Sequence, residues 1–139
     1  FSEYYAHITD VMATCVEVAG ASYPGTYKGN NITPMEGISL FTTLAGKSDP
    51  ERVLVFEHSG HPAIRIGKWK LVCRGNGMVE NGLNDEEGFE LYNISEDRSE
   101  TNDLSGQYPE KVAYMKEIML KEFARTNVIP RPSRSGQRR

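Results

Sequence analysis

A chain of 139 residues with 16 basic and 19 acidic side chains has a net charge of −3, which gives no electrostatic reason to expect nucleic acid as a partner. Its 38% hydrophobic and 25% charged composition suits a globular protein with a modest core. No apolar run reaches membrane-spanning length, so no membrane partner is expected.

The chain opens FSEYYAHITD, with no initiator Met and no signal peptide, which suits a piece of a longer protein. Ile8, Val11, Met12, Cys15, Val16 and Ala19 recur at helical spacing, predicting a short amphipathic helix over 8–20. Thr9 or Asp10 is placed to cap its start, and Gly20 to stop it in the left-handed conformation. Such a helix is marginal alone, so its apolar stripe requires a partner surface. Residues 21–49 are loop-like, punctuated by Pro24-Gly25, Lys28-Gly29-Asn30-Asn31 and Pro34, with a short helix around 38–45. A loop of that length leans on something larger.

From Arg52 the period changes. Val53 to Phe56 is a short apolar strand. Ala63 to Ile66 and Trp69 to Val72 flank Gly67-Lys68, a two-residue connection with glycine where a type II′ turn needs it. Gly75 to Gly88 is polar and glycine-rich, a surface loop, and Phe89 to Tyr92 returns as another strand. Pro109 opens a last helix running to about Arg125, with Val112, Met115, Ile118, Met119 and Phe123 along one side as core. Pro130 and Pro132 stop it, and the tail with Arg131, Arg134, Arg138 and Arg139 reads as a disordered basic end. The fold class is α+β: a small antiparallel β-sheet of about four strands packed by a C-terminal α-helix, preceded by a helix and loop.

Two cysteines, Cys15 and Cys73, read as small buried hydrophobes, and nothing in their spacing requires a disulfide. There is no CxxC or HExxH, and His7, His58 and His61 do not form a zinc pattern. Asp85, Glu86 and Glu87 are adjacent but lack the alternating spacing of a calcium loop. Asn31-Ile32-Thr33 and Asn93-Ile94-Ser95 fit the N-glycosylation pattern, which arises readily by chance.

Several segments, in order, resemble the end of a sulfatase chain. HITDVMATCVEVAGASYP (His7 to Pro24) is similar to the family's H-x-x-D helix with a later T and A-G, and MEGISL (Met35 to Leu40) to its G-x-S-L segment. FEHSGHPAIRIGKWKLV (Phe56 to Val72) resembles its E-H-x-G-x-x-A-(V/I)-R-x-G-x-W-K-L hairpin, and FELYNISEDRSETNDL (Phe89 to Leu104) its E-L-Y segment with an inserted residue near the end. The resemblance reaches nearly to Ile129. It implies that 1–50 is the end of the main α/β sulfatase domain, 51–129 the C-terminal subdomain, and 130–139 the tail. Sulfatases hydrolyse sulfate esters with a formylglycine made from the Cys or Ser of C/S-x-P-x-R, beside a calcium ion. Neither Cys15 nor Cys73 has Pro and Arg at those offsets.

The resemblance therefore implies a fragment of an arylsulfatase-like enzyme, inactive alone, that supports the fold and the substrate-pocket rim. Nucleophile and Ca2+ would be held by residues outside this chain. The implied partners are the N-terminal domain and a sulfated small molecule or glycan, and the implied location is periplasmic or secreted. The candidate substrate contacts are His58, since a histidine of the C-terminal subdomain reaches the pocket in several sulfatases, and His61, as a loop residue or a secondary substrate contact. A structural role for His58 in the interdomain seam is the competing assignment. Arg65 is expected to pair with Glu57 or Glu90 across the sheet, Trp69 to anchor the hairpin to the helix, and His7 and Asp10 to be structural. The rival functions are a non-catalytic binding module and a related phosphodiester or phosphonate hydrolase.

Overall fold

The computed structural model describes residues 5–45, 51–73, 75, 77–79, 82–83 and 88–128. The chain divides into two compact units, Phe1–Asp49 and Pro50–Arg139.

In the first unit, helix α1 spans Thr9–Val18 and Gly20 follows it at φ +59. A β-carbon is disfavoured there, so glycine terminates the helix as expected. The start differs from expectation. The N-cap position is Ile8 and carries no capping side chain. Asp10, only 1% exposed, instead accepts the His7 N–H (2.7 Å) and the Ile38 N–H (2.9 Å). Thr14 accepts the Leu40 N–H at 2.9 Å, so helix side chains pin the 38–40 segment from inside. Gly37 lies against this junction, and a β-carbon there would run into the backbone of Thr9 and Asp10. The apolar stripe of α1 is uncovered: Ile8, Val11, Met12 and Val18 are exposed, and of this helix only Asp10 and Ala13 are buried.

The stretch expected as loop contains a small antiparallel hairpin, β1 (Thr26–Tyr27) with β2 (Asn30–Asn31). Lys28 (φ 49) and Gly29 (φ 81) are both left-handed, the requirement of a type I′ turn. Helix α2 is shorter than expected, Leu40–Leu44.

The second unit holds the sheet. Strands β3 (Val53–His58), β4 (His61–Ile66), β5 (Trp69–Cys73) and, later, β8 (Phe89–Asn93) run antiparallel in the order β3-β4-β5-β8. Gly67 has φ +54 and Lys68 is not left-handed, which is the type II′ turn the sequence predicts between β4 and β5. Within the stretch expected as loop between β5 and β8, β6 (Met78–Val79) pairs with β7 (Gly82–Leu83). Asp85, Glu86, Glu87 and the basic tail lie outside the described residues.

Alternation along the strands sorts the sheet into two faces. One carries Ile64, Ile66, Leu71, Cys73, Phe89 and Leu91, which cluster with Met115, Met119 and Phe123 of helix α3 (Pro109–Arg125). Val112 and Ile118 pack on the edge of that core, so the helical stripe legible in the sequence faces the sheet. Trp69 packs on the same core and its ring centroid lies 5.3 Å from that of Tyr108, just before the helix, so it anchors the hairpin to the helix as expected. Gly77 closes the core rim; an added β-carbon would meet Cys73 Sγ at 2.6 Å and Pro62 Cδ at 2.9 Å.

The 94–108 connection is organised by carboxylates. Asp97 accepts the N–H groups of Thr101 (2.7 Å) and Asn102 (2.8 Å), and the Asn102 bond chiefly holds its carboxyl below the usual range. Asp103 accepts the Leu91 N–H at 3.0 Å, tying the connection to the free edge of β8. Lys70 bridges to Glu100. Asn93 is 5% exposed and accepts the Ser95 hydroxyl, which leaves it poorly placed for a glycan.

Candidate functional site

His58 and His61 flank a tight hairpin turn. Strand β3 continues through Glu57 and His58, β4 begins at His61, and the connection is the two residues Ser59 and Gly60. Both are left-handed, φ 59 and φ 93, so this is a type I′ turn. Ser59 is neither asparagine nor glycine, which hid the turn from a sequence reading. Pro62 inside β4 added to the impression of a break.

Hairpin geometry explains why Pro62 is tolerated. In a two-residue hairpin the flanking residues, here His58 and His61, exchange the backbone hydrogen bonds, and the next pair does not. Glu57 and Pro62 form that next pair. The missing N–H of Pro62 therefore points away from β3, and the β4–β5 ladder begins only at Ala63. The Glu57 carboxylate folds back and accepts the Gly60 N–H at 2.6 Å, satisfying a turn donor from inside the hairpin.

This geometry places His58 and His61 directly opposite one another, with side chains on the same face and Cα atoms about 5.5 Å apart. Phe56 and Ala63 form the next pair on that face, the one turned away from α3. Both imidazoles are exposed, and neither has a hydrogen-bond or ion-pair partner among the described residues. Each ring offers a donor and an acceptor, or two donors when protonated. The tip thus presents up to four hydrogen-bonding ring nitrogens on a short, doubly constrained turn.

Replacing Ser59 by Asn should stabilise the second unit by about 0.5–1 kcal/mol, because Asn adopts φ > 0 at lower cost. Urea unfolding followed by Trp69 emission reads this directly. A lower midpoint would mean that Ser59 makes a contact beyond the turn.

Other site assignments shift. Arg65 stands opposite Leu54 and Lys70 in register, while Glu57 faces Pro62 and Glu90 faces Val72, so neither carboxylate is its direct register partner. The Arg65 Nε donates to the Gly67 carbonyl at 3.1 Å, bracing the II′ turn. His7 Nδ1 lies 3.0 Å from the Thr9 hydroxyl, and with Asp10 it is structural, as expected. Cys73 is buried as expected, whereas Cys15, expected buried, is exposed because the outer face of α1 is uncovered; neither forms a disulfide. No group of three or more His, Cys, Asp or Glu able to hold a metal occurs among the described residues. No described helix is long and apolar enough to cross a membrane.

No family model matches the chain. Solved structures do. A 2-O glycosaminoglycan sulfatase, BT1596, shares 22% identity over 86% of this chain at a TM-score of 0.57. A second, BT33336S-sulf, from a study of glycosaminoglycan metabolism by Bacteroides thetaiotaomicron, shares 22% identity over 83% at 0.57. Ps i-CgsB, solved with k-i-k-neocarrahexaose, shares 20% identity over 81% at 0.56. The chain covers 25%, 24% and 23% of those three proteins, so it spans about a quarter of the length of the structures it matches. The small antiparallel sheet with its C-terminal helix is the fold of the sulfatase C-terminal subdomain.

Proposed function

We propose that this chain is the C-terminal part of a sulfatase that hydrolyses sulfate esters of glycans, and that its β3–β4 hairpin tip forms part of the substrate-pocket rim. The observation that carries this reading is the pair of exposed imidazoles at that tip, held side by side and unpartnered among the described residues. A sulfate or sugar hydroxyl is the kind of group such a pair serves: His58 and His61 donate hydrogen bonds to sulfate oxygens or exchange them with hydroxyls.

The fold supports the family, and the glycosaminoglycans and the neocarrahexaose named with the matched structures support a glycan substrate. The formylglycine nucleophile and Ca2+ belong to the remaining part of the protein; Ser48-Asp49-Pro50-Glu51-Arg52 meets the bare S-x-P-x-R spacing but falls between segments that resemble the end of a sulfatase chain. That remaining part also covers the exposed stripe of α1. The chain alone is inactive, and the whole enzyme works outside the cytoplasm.

In the full-length protein, His58→Ala should lower kcat/KM for a sulfated oligosaccharide by about tenfold or more, roughly 1.4 kcal/mol of lost binding to the reacting substrate. His61→Ala should act in the same direction. Thermal unfolding should not move, because both rings are exposed. Unchanged kinetics in both variants would remove the tip from the pocket and return His58 to a structural role.

A further inference from the structure

The end of the sheet away from the hairpin tip carries a cluster that substrate contact by His58 and His61 does not use. Trp69 follows the Gly67-Lys68 turn, and Lys111 Nζ lies 4.8 Å and Lys68 Nζ 5.7 Å from its ring centroid. Tyr108 tilts against the same indole at 5.3 Å. Lys70 and Lys121 are matched by Glu100 and Glu117. Lys68 and Lys111, by contrast, have no carboxylate partner among the described residues; only the aromatic face offsets their charge.

Beside this cluster lies an open groove of about 520 Å³, lined by Gln107, Tyr108, Pro109, Glu110, Lys111 and Tyr114. Its size is that of a small-molecule site. Tyr108 and Tyr114 are 43% and 55% exposed, so the groove has two accessible aromatic walls. A pyranose presents an apolar C–H face to an aromatic ring and a rim of hydroxyls to amides and carboxylates. Its sulfate requires cations. Tyrosines, Gln107, Glu110 and Lys111 line the groove and supply those three needs, with Lys68 beside it against the Trp69 ring.

We propose that this groove binds a sulfated saccharide, with Tyr108 and Tyr114 flanking the sugar, Gln107 and Glu110 meeting its hydroxyls, and Lys68 and Lys111 neutralising its sulfate. The ligand class rests on the sulfatase reading; the location does not. From His61 to Ile66, the register partner of Trp69, is about 17 Å along β4, so this contact is separate from the hairpin tip.

Trp69 is the sole tryptophan of the chain, so its emission reports on this cluster alone. The experiment titrates the 139-residue chain with a sulfated carrageenan hexasaccharide and with its chemically desulfated counterpart. The sulfated sugar should change Trp69 emission saturably, more weakly as salt rises, with the desulfated sugar binding about tenfold worse or less. Lys68→Ala/Lys111→Ala and Tyr114→Ala should each weaken binding by about tenfold without moving the urea midpoint. Glu110→Gln should tighten it, and His58→Ala/His61→Ala should leave it unchanged. Emission that ignores the sulfated sugar, equal response to both sugars, or dependence on the histidines rather than the lysines overturns the proposal. If the full-length protein still releases sulfate in that case, the groove assignment falls and the sulfatase reading stands. If it releases none, both fall.

Discussion

Leu71→Ala lowers the unfolding free energy of the second unit by about 2–5 kcal/mol, the range for truncating a fully buried leucine where the site cannot collapse. Leu71 has no exposed surface and sits in register between Ile64 of β4 and Leu91 of β8, both equally buried. The same cluster takes Met115 and Met119 from α3, so the cavity would open where sheet and helix meet. Rigid hydrogen-bonded strands on both sides leave little room for backbone relaxation. Urea unfolding monitored by Trp69, two residues away, measures the loss. A change below about 0.5 kcal/mol, the scale of a surface substitution, would show that this cluster is not the core.

Asp10→Ala should cost the first unit about 3 kcal/mol and release its helix. The carboxylate is buried and accepts the N–H groups of His7 and Ile38, and bonds to a charged group contribute about 1.5–3 kcal/mol each. Removing it leaves partly buried donors unpaired at His7 and at Ile38, the latter 28 residues along the chain. Hydrogen exchange at the amides of α1, Ile38 and Leu40 would report the effect, with fast exchange throughout. Asp10→Asn keeps an acceptor and should lose less. Protected amides in the alanine variant would mean that the 38–40 segment is held by something other than α1.

Much of the fold was legible because periodicity and turn chemistry agreed. The stripe from Val112 to Phe123 with Pro109 at its head gave α3 its bounds, and Gly67-Lys68 gave the β4–β5 turn its type. Where side chains violate the usual turn preferences, the reading failed. Ser59 in a left-handed position and Pro62 inside a strand disguised the β3–β4 hairpin, although His58 and His61 were already the candidates. Two-residue strands such as β1, β2, β6 and β7 leave no period to detect.

The role of Asp10 was missed in part for a different reason. Its partner Ile38 lies far along the chain, and a long-range hydrogen bond has no local signature. The Trp69–Tyr108–Lys111 cluster was half-visible: the sequence placed Trp69 against the helix, while the lysines came to it through tertiary packing.

Sulfate release tests the central claim most directly, with a sulfated glycan offered in parallel to the full-length protein and to the 139-residue chain. The full-length protein should release inorganic sulfate, and the chain alone should release none with or without added calcium. Sulfate release by the chain alone, or none by the full-length protein, would contradict the account.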